Sequence, residues 1–178
     1  DFMRSFLEYA SQQQGILYYD LNFRRSHQHE LEQLLPIIHE NFKWTDIVRG
    51  SADDFDIMYG SRDAEFIYKE HIAPYCPIFI CTHGSEGITV CTPFKTLSFD
   101  VPTIQTVSTI GAGDNFNAGF IYGLVKHNIM KGHLATLSDD VWEKLILCGK
   151  RFAANVCASV HNSIDIDFGK ELQKELLG

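Results

Sequence analysis

The strongest constraint on the fold is a series of short, mostly apolar segments separated by longer helical ones. Pro77–Thr82 is the clearest of these segments, and Ile16–Tyr19 and Asp46–Val48 repeat the pattern. Strands without polar alternation are typical of sheets buried on both faces, as parallel sheets are. Strands that alternate with helices predict a layered α/β domain with a mostly parallel sheet.

The remaining elements follow from periodicity and from turn residues. Helices are predicted at 1–14, 28–42, 62–72, 112–129, 138–160 and 167–177, the second bent or broken near Pro36. Segments 88–92 and 95–100 are strand-like, and their short connection predicts an antiparallel pair. Ser51, followed by two aspartates, is typical of a helix N-terminus. Because the sequence contains no linker or internal repeat, we expect a single domain over residues 1–178.

Composition excludes several classes of protein. The chain has 178 residues and a formal net charge of −8, with 15 basic against 23 acidic residues, whereas nucleic-acid binding requires a basic surface. No apolar run reaches the length of a membrane span. The 5 cysteines include no Cys-x-x-Cys pair, which is typical of free thiols in a reducing compartment. We therefore expect a cytoplasmic protein without nucleic-acid or membrane partners.

The most informative segment is the glycine run Gly111-Ala112-Gly113-Asp114. Small residues let a backbone approach a ligand closely and adopt positive φ. The run begins an apolar helix, whose first-turn N–H groups and dipole favour a phosphate or a developing anion. A carboxylate in that turn can accept the proton of a hydroxyl that attacks phosphorus. The run therefore indicates phosphoryl transfer, although a carboxylate here also complements a helix dipole without any catalytic role.

Two common phosphate-binding motifs do not fit this run. A dinucleotide fingerprint requires glycine where this chain has Phe116. A Walker A loop requires Gly-Lys followed by serine or threonine, whereas the Gly-Lys pairs of this chain continue as Gly149-Lys150-Arg151 and Gly169-Lys170-Glu171. Both motifs are excluded.

Residues 109–119 match the pattern Thr-x-Gly-Ala-Gly-Asp-x-Phe-x-x-Gly in order, and so resemble the C-terminal signature of the ribokinase-like (PfkB) carbohydrate kinases. The resemblance implies a three-layer α/β/α, Rossmann-like domain. It also implies that Gly111, Ala112 and Gly113 form an anion hole and that Asp114 is the catalytic base. The chain begins at Asp1 inside a helical pattern and resembles only the latter part of a family member. The early strands, the β-sheet lid and most sugar contacts are therefore expected to be missing.

Two further motifs occur in the order expected for this family. Asp20-Leu21-Asn22-Phe23-Arg24 resembles an Asp-x-Asn-x-Arg stretch, which implies that Asn22 and Arg24 lie near the transferred phosphate or an acidic substrate. The alternative is a solvated strand end. The segment 82–87 resembles the Thr-x-Gly-x-x-Gly turn of the family, which implies that Thr82, Gly84 and Gly87 contact the nucleotide. On its own, this segment is also typical of a hairpin turn.

The chain departs from the family pattern at two places. Ser51 and Asp54 stand where relatives have the Asn-x-x-Glu motif, so Ser51 is a candidate cofactor contact and Asp54 a candidate ligand of magnesium through water. Ser108 stands where many relatives have an aspartate that helps to hold a monovalent cation. His161-Asn162-Ser163-Ile164 replaces their Gly-Ala pair. Both differences argue against activation by potassium.

The resemblance as a whole implies phosphorylation of a sugar hydroxyl by ATP and Mg²⁺ in a fructokinase-like enzyme. A homodimer formed through the lid is also implied. Two alternatives stay open. One is a nucleoside kinase of the same superfamily. The other is a non-catalytic nucleotide-binding relative, which the departures at Ser51 and Ser108 favour and the intact Asp114 opposes.

Overall fold

In the computed structural model, residues 2–177 are described, and side chains are described for residues 4–176. The helices are α1 (Phe2–Gln12), α2 (Leu31–Phe42), α3 (Ala52–Tyr59), α4 (Ala64–Ile67), α5 (Ala112–Lys126), α6 (Asp139–Cys157) and α7 (Ile166–Leu177). The strands are β1 (Tyr18–Asp20), β2 (Ile47–Ser51), β3 (Ile78–Thr82), β4 (Ile88–Cys91) and β5 (Thr96–Phe99). The chain forms two compact units, Asp1–Val101 with Met130–Thr136, and Pro102–Ile129 with Leu137–Gly178. The predicted helix start at Asp1 lies outside the described residues.

The first unit is built on a five-stranded sheet of order β1-β2-β3-β4-β5. β1, β2 and β3 are parallel, whereas β4 and β5 continue the sheet in antiparallel pairing. Helices connect the parallel strands. The β4–β5 connection is a tight turn, in which the Thr92 hydroxyl donates to the Lys95 carbonyl at 3.0 Å. The α/β class and the antiparallel pair are both confirmed.

Burial explains why the central strands have no polar alternation. The apolar residues of β2 and β3, namely Ile47, Val48, Ile78, Phe79 and Ile80, are at most 1% exposed. Each buried side chain of this size contributes roughly 1.5–3 kcal/mol relative to an exposed one. These two strands therefore supply much of the stability of the sheet, and they hold their carboxyl ends in a fixed position.

The helices of this unit differ from the predicted ones at their limits. Residues 25–30 form a 3₁₀ turn before α2, and α2 continues through Pro36. Pro36 is exposed, so the backbone carbonyl that loses its partner can bond water. The predicted helix at 62–72 begins later, because Asp63 caps α4 by accepting from the Glu65 and Phe66 N–H groups. It then continues as a π-helical turn over Tyr68–Ile72.

The second unit consists of α5, α6 and α7. Helices α5 and α6 approach closely at Gly119, where a Cβ atom would lie 2.5 Å from the Cys148 carbonyl oxygen. Glu175 of α7 accepts hydrogen bonds from Arg151 at 2.9 Å and from Lys126. Hydrogen bonds from Arg151 and, to a smaller extent, from Lys126 lower the pKa of Glu175 to about 2. The charged carboxylate therefore links α7 to α6 and α5.

None of the helices within residues 2–177 combines the length and the apolar character that a transmembrane span requires.

Candidate functional site

The glycine run lies at the start of α5. Gly111 is the N-cap residue, with φ 79° and ψ 0° in the left-handed region, where a β-carbon is disfavoured. Space is tight as well, because a Cβ atom would lie 3.0 Å from the Asn162 Cβ, which would have to move by a few tenths of an ångström. A glycine N-cap offers no side-chain oxygen to the first-turn N–H groups. The Ala112 N–H donates to the Thr109 carbonyl at 3.2 Å, so an anionic ligand that uses this donor would share or replace that bond. Asp114 is exposed in the same turn.

One side chain holds the glycine run in place. The Asn115 amide nitrogen donates to the Gly111 carbonyl at 2.9 Å and to the Asn162 carbonyl at 3.0 Å. Upstream, the Ser108 hydroxyl accepts from the Ile110 N–H at 3.2 Å. Both residues that suggested weak potassium dependence, Ser108 and Asn162, therefore take part in hydrogen bonds that order the run. Potassium independence stays a prediction.

A second group of candidate residues lies in the first unit, at the carboxyl ends of the parallel strands. Asp20 ends β1 and Thr82 ends β3, with β2 between them. Arg49 of β2 donates through Nη1 to Asp20 Oδ1 at 3.1 Å and through Nη2 to Thr82 Oγ1 at 2.9 Å. Ligands of open α/β sheets bind outside the carboxyl ends of the strands, so this edge is the expected place for a nucleotide.

Asn22 and Arg24 follow β1 at this edge. Asn22 has φ 42°, in the left-handed region that asparagine tolerates better than most residues. Both side chains are exposed, whereas Phe23 between them is buried. The buried ring anchors the turn, and the two polar side chains are left accessible to a ligand.

The segment 82–87 forms the turn between β3 and β4. The His83 N–H donates to the Gly87 carbonyl at 2.9 Å, and Gly84–Glu86 is a 3₁₀ turn. Gly84 has φ 61°, and a Cβ atom there would have no neighbour within 4 Å, whereas a Cβ atom at Gly87 would lie 2.9 Å from the Phe99 carbonyl oxygen. The backbone near Gly84 is therefore open to a ligand. The geometry is equally that of a hairpin turn.

Ser51 and Asp54 form a capping box at the start of α3. Asp54 Oδ2 accepts from the Ser51 N–H at 2.8 Å and from the Ser51 hydroxyl at 2.7 Å, and the Asp54 N–H donates back to Ser51 Oγ at 3.2 Å. Among the described residues, no group of three or more His, Cys, Asp or Glu side chains is arranged to hold a metal ion. The single carboxylate of Asp54 could hold Mg²⁺ only if water and nucleotide phosphates supplied the other ligands, as they do in many enzymes that use nucleotides.

The comparison with known protein families identifies the chain. A family model described as pfkB family carbohydrate kinase matches residues 3–164. The chain belongs to the pfkB family of carbohydrate kinases. Among curated proteins, this pfkB chain is 30% identical over 126 residues to 5-dehydro-2-deoxygluconokinase of Geobacillus thermodenitrificans, a match that covers 67% of the chain and 37% of that relative.

Solved structures confirm the ribokinase-like fold. An ATP-bound fructokinase from Xylella fastidiosa superposes with a TM-score of 0.78 at 15% identity, covering 98% of this chain and 56% of that one. An aminoimidazole riboside kinase from Salmonella enterica superposes with a TM-score of 0.75 at 18% identity, covering 96% and 54%. The pfkB chain therefore spans about half the length of these structures, and 37% of the curated relative.

Two residues of these sites were missed by the sequence patterns. Arg49 is the charged residue of β2 and directly follows the predicted strand segment 46–48, and this position was the available signal. Asn115 follows the catalytic candidate directly, but nothing local in the sequence indicates that its amide bonds two carbonyls.

Proposed function

We propose that the protein containing this chain transfers a phosphoryl group from ATP to a sugar hydroxyl, as a fructokinase-like enzyme. Membership of the pfkB family supports this proposal. The observation that carries it is the exposed carboxylate of Asp114 in the first turn of α5, three residues after the left-handed Gly111.

The proposed chemistry uses the two properties of this turn. Asp114 accepts the proton as the sugar oxygen bonds to the γ-phosphorus, and the bond from that phosphorus to the β,γ-bridging oxygen breaks, releasing ADP. The N–H groups of Gly111, Ala112 and Gly113, together with the positive end of the helix dipole, stabilise the negative charge on the transferred phosphoryl oxygens. General base catalysis contributes roughly 10²–10⁴-fold.

The residues at the strand ends have a binding role in this proposal. Thr82, Gly84 and Gly87 contact the nucleotide, and the open backbone at Gly84 supports this assignment. Asn22 and Arg24 contact the transferred phosphate or an acidic group of the substrate, a role that their exposure permits. Magnesium, when bound, neutralises phosphate charge. Asp54 would act on it through water, and Ser51 would lie beside the cofactor.

The acceptor class is proposed from the relatives. The names of the fructokinase and of 5-dehydro-2-deoxygluconokinase support a small sugar or a sugar derivative. A second candidate is a riboside or nucleoside acceptor, which the likeness to aminoimidazole riboside kinase supports, with 23% identity over 149 residues to the Salmonella typhimurium enzyme. These two candidates share the proposed chemistry of Asp114.

Three further features of the whole protein are proposed. Residues 1–178 belong to one ribokinase-like domain, the protein forms a homodimer through a β-sheet lid, and it works in the cytoplasm. The five free cysteines, four of them buried, fit a reducing compartment.

The test is single-turnover phosphoryl transfer from labelled ATP with the whole protein, a panel of sugars and ribosides, and the variant Asp114→Asn. We expect the variant to retain ATP binding and to lose roughly 10²–10⁴-fold in transfer rate. Asp140→Asn is the matched control, because Asp140 is also an exposed carboxylate in the first turn of a helix.

A wild-type rate in Asp114→Asn would show that the base is another group. Transfer to ribosides but not to fructose would select the nucleoside candidate. ATP binding without transfer to any acceptor would favour the non-catalytic alternative.

A further inference from the structure

Arg49 is a buried charge in the middle of the sheet. It belongs to β2, where its neighbours Ile47 and Val48 are fully buried, and it is itself only 7% exposed. A buried ion costs several kcal/mol of desolvation unless it is well paired. Apolar residues would serve the core of this sheet better, so the position of the guanidinium requires an explanation other than packing.

The guanidinium reaches both neighbouring strands. Asp20 of β1 is in direct register with Arg49, and Nη1 donates to its carboxylate at 3.1 Å. On β3 the register partner is Ile80, and Nη2 extends two residues further to the Thr82 hydroxyl at 2.9 Å. Main-chain pairing extends beyond β1, since the Leu21 N–H donates to the Arg49 carbonyl at 2.9 Å. One side chain thus links the carboxyl ends of three adjacent strands.

The link determines how the Thr82 hydroxyl is used. Its oxygen accepts from Arg49, so the hydroxyl hydrogen is left to donate. Its partner in the protein is the Gly50 carbonyl at 3.5 Å, which is at the limit for a hydrogen bond. A phosphate oxygen would be a closer and a charged acceptor. Arg49 therefore orients the Thr82 hydroxyl as a donor.

Asp20 and Thr82, the two residues that Arg49 bonds, each begin a segment that is a candidate for ligand contact. Asp20 leads into the turn with Asn22 and Arg24, and Thr82 leads into the turn with Gly84 and Gly87. We propose that Arg49 is a positioning residue for the nucleotide site, and that it couples the order of segment 20–24 to the order of segment 82–87. The inference rests on the proposed function, because it takes segment 82–87 to be a nucleotide contact.

The test measures ATP affinity and amide hydrogen exchange in the whole protein. Arg49→Lys keeps the charge but loses the planar fork that serves two acceptors. Thr82→Val removes the other end of the link and leaves Arg49 paired with Asp20. We expect each variant to weaken ATP binding about tenfold, and the double variant to lose little more. Without nucleotide, both single variants should exchange faster in segments 20–24 and 82–87 together.

Arg4→Lys is the control, because Arg4 is an exposed arginine of the same unit that is paired with Glu8 at 3.3 Å. It should change neither measurement. Thr82→Val leaves the buried charge in place. Because Thr82 is itself a proposed nucleotide contact, the exchange rate of this variant in segment 20–24 decides the matter if Arg49→Lys does not fold. The coupling would be refuted if the double variant lost ATP affinity by the product of the two single losses. It would also be refuted if amide exchange became faster in one of the two segments alone. If the wild-type protein fails to bind ATP, the proposed function is wrong, and the exchange measurement still decides whether Arg49 couples the segments.

Discussion

Replacing Gly119 by alanine tests how closely α5 and α6 pack. In a helix interior, alanine is favoured over glycine by roughly 1 kcal/mol, so the substitution would stabilise an exposed helix. At Gly119, however, the new Cβ atom would lie 2.5 Å from the Cys148 carbonyl oxygen and 2.9 Å from the Gly149 Cα. Both are backbone atoms of α6, which cannot rotate away. Overpacking costs roughly 1–3 kcal/mol, so we expect a net destabilisation of up to about 2 kcal/mol.

Gly169→Ala is the matched control, because Gly169 lies in α7 and its nearest neighbour to a new Cβ atom would be Ile164 Cδ1 at 3.8 Å. This variant should gain about 0.5–1 kcal/mol. The measurement is urea-induced unfolding, followed by circular dichroism and by tryptophan fluorescence to check that both probes report one transition. If Gly119→Ala is as stable as Gly169→Ala, the helices do not meet at Gly119 and the packing described above is wrong.

Two further predictions concern local polar contacts. The lowered pKa of Glu175, about 2 against the usual 4.5, means that its stabilising effect is present above pH 4.5 and disappears as pH falls towards 2. The difference in unfolding free energy between wild type and Glu175→Gln should therefore shrink over that range. Ser51→Ala removes the cap shared with Asp54 and should cost about 1 kcal/mol. Ser138→Ala should cost less, because Ser138 begins α6 without a side-chain cap bond.

The parts of the fold that the sequence predicts are those in which local pattern and burial agree. Strands β2 and β3 were predicted because burial on both faces removes polar alternation over several consecutive residues. The first strand was predicted to begin too early. Ile16 and Leu17 are apolar, but the hydrogen-bonded pairing of β1 with β2 begins only at Tyr18. There the Asp46 carboxylate accepts from the Leu17 N–H at 2.8 Å. A contact between residues so far apart in sequence has no local signature.

The same reason explains which site residues were missed. The glycine run was identifiable because its conformation and its chemistry are set by adjacent residues. Arg49 bonds partners 29 and 33 positions away, and Asn115 bonds a carbonyl 47 positions away. Only the assembled sheet and helices bring these groups together. Side chains that position a site through distant partners are therefore found from structure, whereas side chains within a motif are found from sequence.

The capping box bears on the alternative that the protein is non-catalytic. That alternative is motivated by the departures at Ser51 and Ser108, and Ser51 stands with Asp54 in place of the asparagine and glutamate of the family pattern. Serine and asparagine are both preferred N-cap residues, and an acidic residue three positions later completes the box. The observed reciprocal bonds between Ser51 and Asp54 therefore give the helix the same kind of start that the family residues would give. Because helix capping alone accounts for this pair, the departure from the pattern is weak evidence for a loss of catalysis. The rate of Asp114→Asn is the stronger criterion.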